Sequence, residues 1–221
     1  EIRFCDWSSD VCSSDLTEVK IRVKNEKVLG LERELIEDDE GNLFLIFHRH
    51  EFVTWNEKQK EFSANYNFIP LPPGWETTDC LQQPGTKKYW IGGNKGLAVF
   101  DRQTNQLSYK GHNVAKEAVI EKFGDVAGPT RLFIDKQERI WFDAWTDSPI
   151  LFCYDLKKKE AVLDYYSFLP IVNDYHELRG VLQQKDGTNW VKGLNIFARF
   201  IEKEKKFQQV YNGRSEEHTS E

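Results

Sequence analysis

The chain has no methionine, only four cysteines in 221 residues, no excess of basic side chains and no apolar run long enough to cross a membrane. Each absence excludes something. With 30 Lys and Arg against 36 Asp and Glu, and a formal charge of −6, there is no polybasic surface for nucleic acid or an anionic bilayer. Four cysteines at positions 5, 12, 80 and 153 neither form a disulfide framework nor carry zinc-ligand spacing. The missing methionine fits an internal piece of a longer protein, and such a piece would show neither a leader nor a membrane span.

The two ends read as one oligonucleotide translated in opposite senses. Arg214 through Glu221 back-translates as AGA TCG GAA GAG CAC ACG TCT GAA, and the reverse complement of its opening bases encodes Asp10 through Asp15 and the start of Leu16. This string resembles a sequencing adapter, whose upstream continuation, GAC TGG AGT TCA, accounts for Asp6, Trp7, Ser8 and Ser9. Residues 1–16 and 214–221 are therefore expected to be adapter-derived, and 17–213 to be the natural insert. Setting the ends aside removes one arginine from each and seven acidic residues in all, which leaves 28 basic against 29 acidic residues and a charge of about −1.

What is present in abundance is repetition. Phe44, Trp90, Trp141 and Trp190 lie 46, 51 and 49 residues apart, each opening a short apolar run: Leu43-Phe44-Leu45, Tyr89-Trp90-Ile91, Ile140-Trp141-Phe142 and Asn189-Trp190-Val191. Eight residues before them stand Ile36, Gln82, Phe133 and Leu182, and a polar or glycine-containing turn fills every gap. A further run follows each aromatic, as in Gly96–Asp101 and Ile150–Asp155, then a charged turn and, in the later units, a last strand such as Ala161-Val162-Leu163. Four short antiparallel strands in roughly 50 residues are one β-propeller blade. The expected fold is all-β, a partial propeller of about four blades. The segment from Thr17 to Leu35, with its alternating Val19-Lys20-Ile21-Arg22-Val23, is expected to carry the outer strands of a preceding blade.

The stretch Tyr89-Trp90-Ile91-Gly92-Gly93-Asn94-Lys95-Gly96-Leu97-Ala98-Val99-Phe100-Asp101 closely resembles the two-component regulator propeller repeat. Asp186-Gly187-Thr188-Asn189-Trp190-Val191 and Asp135 through Trp141 match its opening; Phe44 stands in the Trp position, and Arg199-Phe200-Ile201 departs where Asp is expected. The resemblance implies a non-catalytic sensor region, periplasmic and part of a membrane-anchored parent, often a hybrid histidine kinase of Bacteroidetes type. It implies no cofactor and no nucleic acid; the implied partners are an oligosaccharide signal, the remaining blades and the parent's dimer mate. A carbohydrate-active propeller enzyme and a purely structural, protein-binding propeller stay open as alternatives.

Several residues invite sharper readings. His48 and His50 share a strand face but lack a third ligand at a supporting spacing, so no metal is expected. Asp143, Asp147, Asp174, His176 and Glu177 could supply an acid and a base for glycoside cleavage, although the required separation is spatial. Gly92 through Gly96 lacks the spacing of a phosphate loop and reads as a turn. Trp75, Trp145 and Tyr175 fall in the longer connections, where an aromatic face beside carboxylates suits a sugar, and are the candidate ligand contacts. Phe44, Trp90, Trp141 and Trp190 recur in every unit and are expected to be blade-to-blade core.

Deleting 1–16 and 214–221 should leave the thermal midpoint essentially unchanged in a melting experiment. A large drop would place the ends inside the fold.

Overall fold

The computed structural model describes residues 2–4, 17–23, 32–47, 52–172 and 174–210. The first sheet contains β1 (Ile2–Phe4), β2 (Thr17–Arg22), β3 (Glu32–Glu37), β4 (Leu43–Phe47), β5 (Phe52–Asn56) and β6 (Glu61–Ser63), in the order β1-β2-β6-β5-β4-β3. The second is the meander β7 (Thr77–Gln82), β8 (Lys88–Gly93), β9 (Gly96–Asp101) and β10 (Gln106–Tyr109). The third comprises β11 (Thr130–Ile134), β12 (Arg139–Trp145), β13 (Pro149–Asp155) and β14 (Glu160–Ser167). The fourth comprises β15 (Glu177–Gln183), β16 (Asn189–Leu194), β17 (Ile196–Ile201) and β18 (Lys206–Gln209). Four antiparallel four-stranded units thus follow one another, with β7, β11 and β15 in contact as the first strands of their sheets.

The repeat register is visible in the ladders. Phe44 lies opposite Ile36 and Thr54, Trp90 opposite Leu81 and Val99, Trp141 opposite Phe133 and Cys153, and Trp190 opposite Leu182 and Arg199. All four sit at one site of the second strand. The second unit departs from the eight-residue rule: Leu81, not Gln82, faces Trp90, because its turn, residues 83–88, is one residue longer than 38–42 in the first unit. In the third unit the turn has no glycine, and Glu138 adopts the left-handed conformation (φ 61°) that Gly187 (φ 93°) supplies in the fourth.

The segment before residue 35 does not form a separate sheet. β2 adds in parallel to β6, pairing Lys20 with Glu61 and Ile21 with Phe62, while β3 is the first strand of the first unit itself. The alternation explains this: Val19, Ile21 and Val23 cover the apolar cluster Leu45, Phe47, Val53 and Phe62, and the Arg22 Nε donates to Glu61 Oε2 at 2.7 Å.

Between sheets the core is continuous. Phe44, Ile46 and Phe52 meet Tyr89, Ile91 and Phe100 across the first seam. Trp90, Leu97 and Val99 meet Ile140, Phe142 and Phe152 across the second, where α1 (Ala118–Phe123) inserts Val119, Ile120 and Phe123. Trp141 meets Phe200 and Phe207 across the third, with ring centroids 5.3 and 6.4 Å apart. Phe44, Trp90 and Trp141 are each at most 1% exposed. Trp190 departs from the expected core role. It lies on the face of the fourth sheet turned away from the third, half-buried and stacked on Phe197 at 5.0 Å, beside the exposed Leu182. Among the described residues no further sheet covers that face.

Polar clasps lock the first and third seams in the same way. Asp135 Oδ1 accepts from the amides of Gln137 and Arg139, both at 3.0 Å. Its Oδ2 accepts from Arg139 Nε (2.7 Å), Trp141 Nε1 (2.8 Å) and, across the seam, Asn189 Nδ2 (3.1 Å). Asp38 does the equivalent in the first unit, accepting from the amides of Glu40 and Asn42, from Asn42 Nδ2 and from Tyr89 Oη of the next sheet. Burial works against its ionisation, but these donors outweigh burial and hold the Asp38 carboxyl below the usual range. A glutamine completes each clasp: Gln82 Oε1 accepts from the Asp39 amide (2.6 Å), and Gln183 Oε1 from the Lys136 amide (2.9 Å).

Asp135→Ala leaves the Trp141 indole N–H and the Asn189 amide without their acceptor and the buried Arg139 guanidinium with Glu202 alone. It should cost about 3–5 kcal/mol of unfolding free energy in urea titration; a loss under about 1 kcal/mol would show that the clasp does not hold the seam.

Candidate functional site

Antiparallel order puts the start of β11, β13 and β15 and the end of β12 and β14 on one rim of the sheet array. The β12–β13 loop and the β14–β15 connection meet there, between the third and fourth sheets. They enclose a cavity of about 480 Å³ lined by Trp145, Asp147, Ser148, Pro149, Leu169, Asp174, Tyr175 and His176. Trp145 is 54% and Tyr175 56% exposed, far above the buried aromatics of the seams.

Local chemistry fixes these positions. Thr146 and Ser148 close the short loop after Trp145, the Thr146 amide donating to the Ser148 carbonyl at 3.1 Å. In the other wall, α2 (Leu169–Val172) begins after Phe168, which is fully buried, and Asp174 Oδ1 accepts from the Tyr175 amide at 2.7 Å. Asn195, in the next hairpin, donates to the Tyr175 carbonyl at 2.8 Å. The Tyr175 hydroxyl donates to Glu177 Oε1, which holds the Glu177 carboxyl below its ordinary range and raises the phenol. His176 is 2% exposed; its Nδ1 lies 3.0 Å from the Asp174 carbonyl, and its buried Nε2 has no partner among the described residues.

Of the three candidate ligand contacts, two come together. Trp145 and Tyr175 share the cavity, whereas Trp75 lies at the junction of the first and second sheets and is 8% exposed. Trp75 and Tyr175 stand at the same repeat position, two residues before β7 and β15. Their fates differ because Gly74 (φ 72°) turns the chain inward and Gly93 leaves space that the indole fills; a Cβ at Gly93 would lie 2.3 Å from Trp75 Nε1. The Trp75 ring packs on Tyr109 at 6.2 Å.

The carboxylates considered for acid–base work are dispersed. Asp143 is buried and held by Arg131 Nε at 2.6 Å, Glu177 is engaged by Tyr175 and Arg179, and only Asp147, Asp174 and His176 line the cavity. Cys80 and Cys153 are buried thiols pushed well above the ordinary cysteine range, chiefly by burial, and are inert as nucleophiles at neutral pH. Gly92 through Gly96 forms the tight β8–β9 turn. His48 and His50 lie outside the described residues, and among the described residues no cluster could hold a metal ion.

Comparison with known proteins fits this architecture. No family model and no curated protein matches the chain. Solved structures do. The extracellular domain assigned to a hybrid two component system of B. thetaiotaomicron, BT4673, aligns with a TM-score of 0.61 at 11% identity over 87% of this chain. That of BT3049 from the same organism aligns with a TM-score of 0.59 at 14% identity over 82%. The chain is a partial β-propeller. The WD40 repeats of RRP9 share the fold more distantly, with a TM-score of 0.52 at 10% identity, over 80% of this chain and 50% of that one. Structural similarity at such identities establishes the fold and carries no activity with it. The propeller segment spans 23% of the length of each of the two B. thetaiotaomicron domains. Among the described residues no helix is long and apolar enough to cross a membrane.

Missed in the sequence was the partnership of Trp145 with His176 and Leu169 across two sheets. The one available signal was the long β14–β15 connection that carries Leu169 and His176; Trp145 itself ends β12, before a loop of three residues.

Trp75→Ala should cost about 3–5 kcal/mol of stability, as a buried aromatic does, while Trp145→Ala should stay within about 0.5 kcal/mol of the parent in chemical denaturation. Similar losses at both positions would mean that Trp145 belongs to the core.

Proposed function

We propose that the chain is a non-catalytic, ligand-sensing segment of the extracytoplasmic region of a two-component signalling protein, with an oligosaccharide as signal. The observation that carries this reading is the exposed pair Trp145 and Tyr175 over a cavity walled by carboxylates at a sheet junction. An aromatic face stacks on the apolar face of a pyranose, and carboxylates accept from its hydroxyls. Support comes from the likeness in fold to extracellular domains of two component systems and from the matching repeat motif. The periplasmic side of a membrane-anchored parent is the setting this implies.

The apolar outer face of the fourth sheet, with Leu182, Trp190 and Phe197, supports docking of another blade, since Trp90 and Trp141 are each covered by the sheet that follows. Signal transmission in this reading is a change in how blades and dimer mates pack when the rim cavity fills.

Titration with neutral hexasaccharides of several linkages, followed by tryptophan fluorescence, should give saturable binding to at least one, abolished by Trp145→Ala, with the sugar recovered intact by chromatography. Shortened products would instead mark an enzyme, and absence of saturable binding across the panel would remove the glycan reading.

A further inference from the structure

The charge around the rim cavity is one-sided. Its lining contains two carboxylates, Asp147 and Asp174, and no lysine or arginine. The two nearby guanidiniums do not offset them: Arg131 is spent on Asp143, and Arg179 lies 3.5 Å from Glu177. Among the described residues no ion pair engages Asp147 or Asp174.

The buried wall adds an independent observation. A carbonyl oxygen only accepts, so the Nδ1 that faces the Asp174 carbonyl carries the proton, and in that tautomer Nε2 is an acceptor. That atom is buried without a donor, which is costly until one arrives. Every polar side chain lining the cavity that is committed in kind, Asp147, Asp174 and His176, therefore asks for hydrogen-bond donors or positive charge. The exposed faces of Trp145 and Tyr175 have the same preference, since an aromatic quadrupole attracts a cation placed over the ring.

We infer that the cavity between the third and fourth blades takes an amine-bearing saccharide, its ammonium held by Asp147 and Asp174 and its ring stacked on Trp145. The inference rests on the glycan-sensing reading for the sugar and on the cavity's own charge for the amine. Acidic glycans are disfavoured by the same arrangement, because a carboxylate or sulfate would face two like charges.

The test uses the full chain and three hexasaccharides of matched length: glucosamine, N-acetylglucosamine and galacturonic acid, each titrated with tryptophan fluorescence as the readout. Glucosamine hexamer should bind at least about tenfold more tightly than its N-acetylated counterpart, with an affinity that falls as salt rises. Galacturonic acid hexamer should not bind. Asp147→Asn and Asp174→Asn change exposed side chains, so both should melt like the parent. Each should weaken the glucosamine hexamer several-fold more than the N-acetylated one, whose hydroxyls still find an acceptor in the asparagine amide oxygen. Equal binding of the first two sugars, or indifference to Asp147→Asn, overturns the amine inference and leaves the glycan reading standing. If no sugar binds, putrescine decides: quenching that Asp147→Asn removes keeps the amine site and retires the glycan reading, and no quenching retires both.

Discussion

Everything in this molecule depends on the contact between one sheet and the next. A four-stranded sheet of short strands cannot bury both faces by itself, and here the apolar residues of each second and third strand alternate between two neighbours. Trp90 points into the second seam while Tyr89 and Ile91, one residue to either side, point into the first. The two-residue period of a strand is thus what makes a single run such as Tyr89-Trp90-Ile91 serve two interfaces at once. Blade identity and blade contact are written by the same residues.

Apolar packing alone would allow the sheets to slide, and the polar clasps remove that freedom. Asp38 and Asp135 each tie their own turn, by accepting from its amides, to the first residue or near-first residue of the next sheet's second strand, Tyr89 or Asn189. The second seam is built differently. There Gln83 replaces the aspartate and receives Trp90 Nε1 at 3.1 Å, while Asp79 Oδ2 accepts the Leu132 amide at 2.8 Å and α1 fills the gap with Phe123. Gly92 lies so close to the Pro129 carbonyl at this seam that a Cβ there would come within 2.1 Å of the oxygen. Seams one and three are variants of one design, and seam two carries another.

The candidate site follows from that order. Hairpin turns bearing the clasps occupy one rim, where Arg139 joins Asp135 to Glu202 across the third seam. The opposite rim holds the long connections between sheets, and there Trp145 and Tyr175 stay exposed beside Asp147 and Asp174. The turn rim spends Asp38, Asp135 and Arg139 on holding the sheets together, whereas Asp147 and Asp174 on the other rim enter no ion pair among the described residues.

Much of the architecture was legible in the chain itself: four aromatics at near-constant spacing, polar turns before them and alternating apolar runs after them lead to four units of four antiparallel strands, because strand periodicity and turn chemistry are local properties. The same locality explains the errors. Leu81 rather than Gln82 faces Trp90 because one extra turn residue shifts a register that only pairing reveals; β2 joins the first unit through a parallel partner, β6, that is remote in sequence; and nothing in the strand of Trp190 says whether a neighbour covers it. Trp75 and Tyr175 hold equivalent places in the repeat, yet one is buried under a glycine's empty space and the other stands over a cavity. The sequence by itself determined the strands, their turns and their repetition, since these depend on neighbours a few residues apart. Only tertiary structure decided which aromatics became core and which became a binding face, since burial depends on what the rest of the chain brings to the other side.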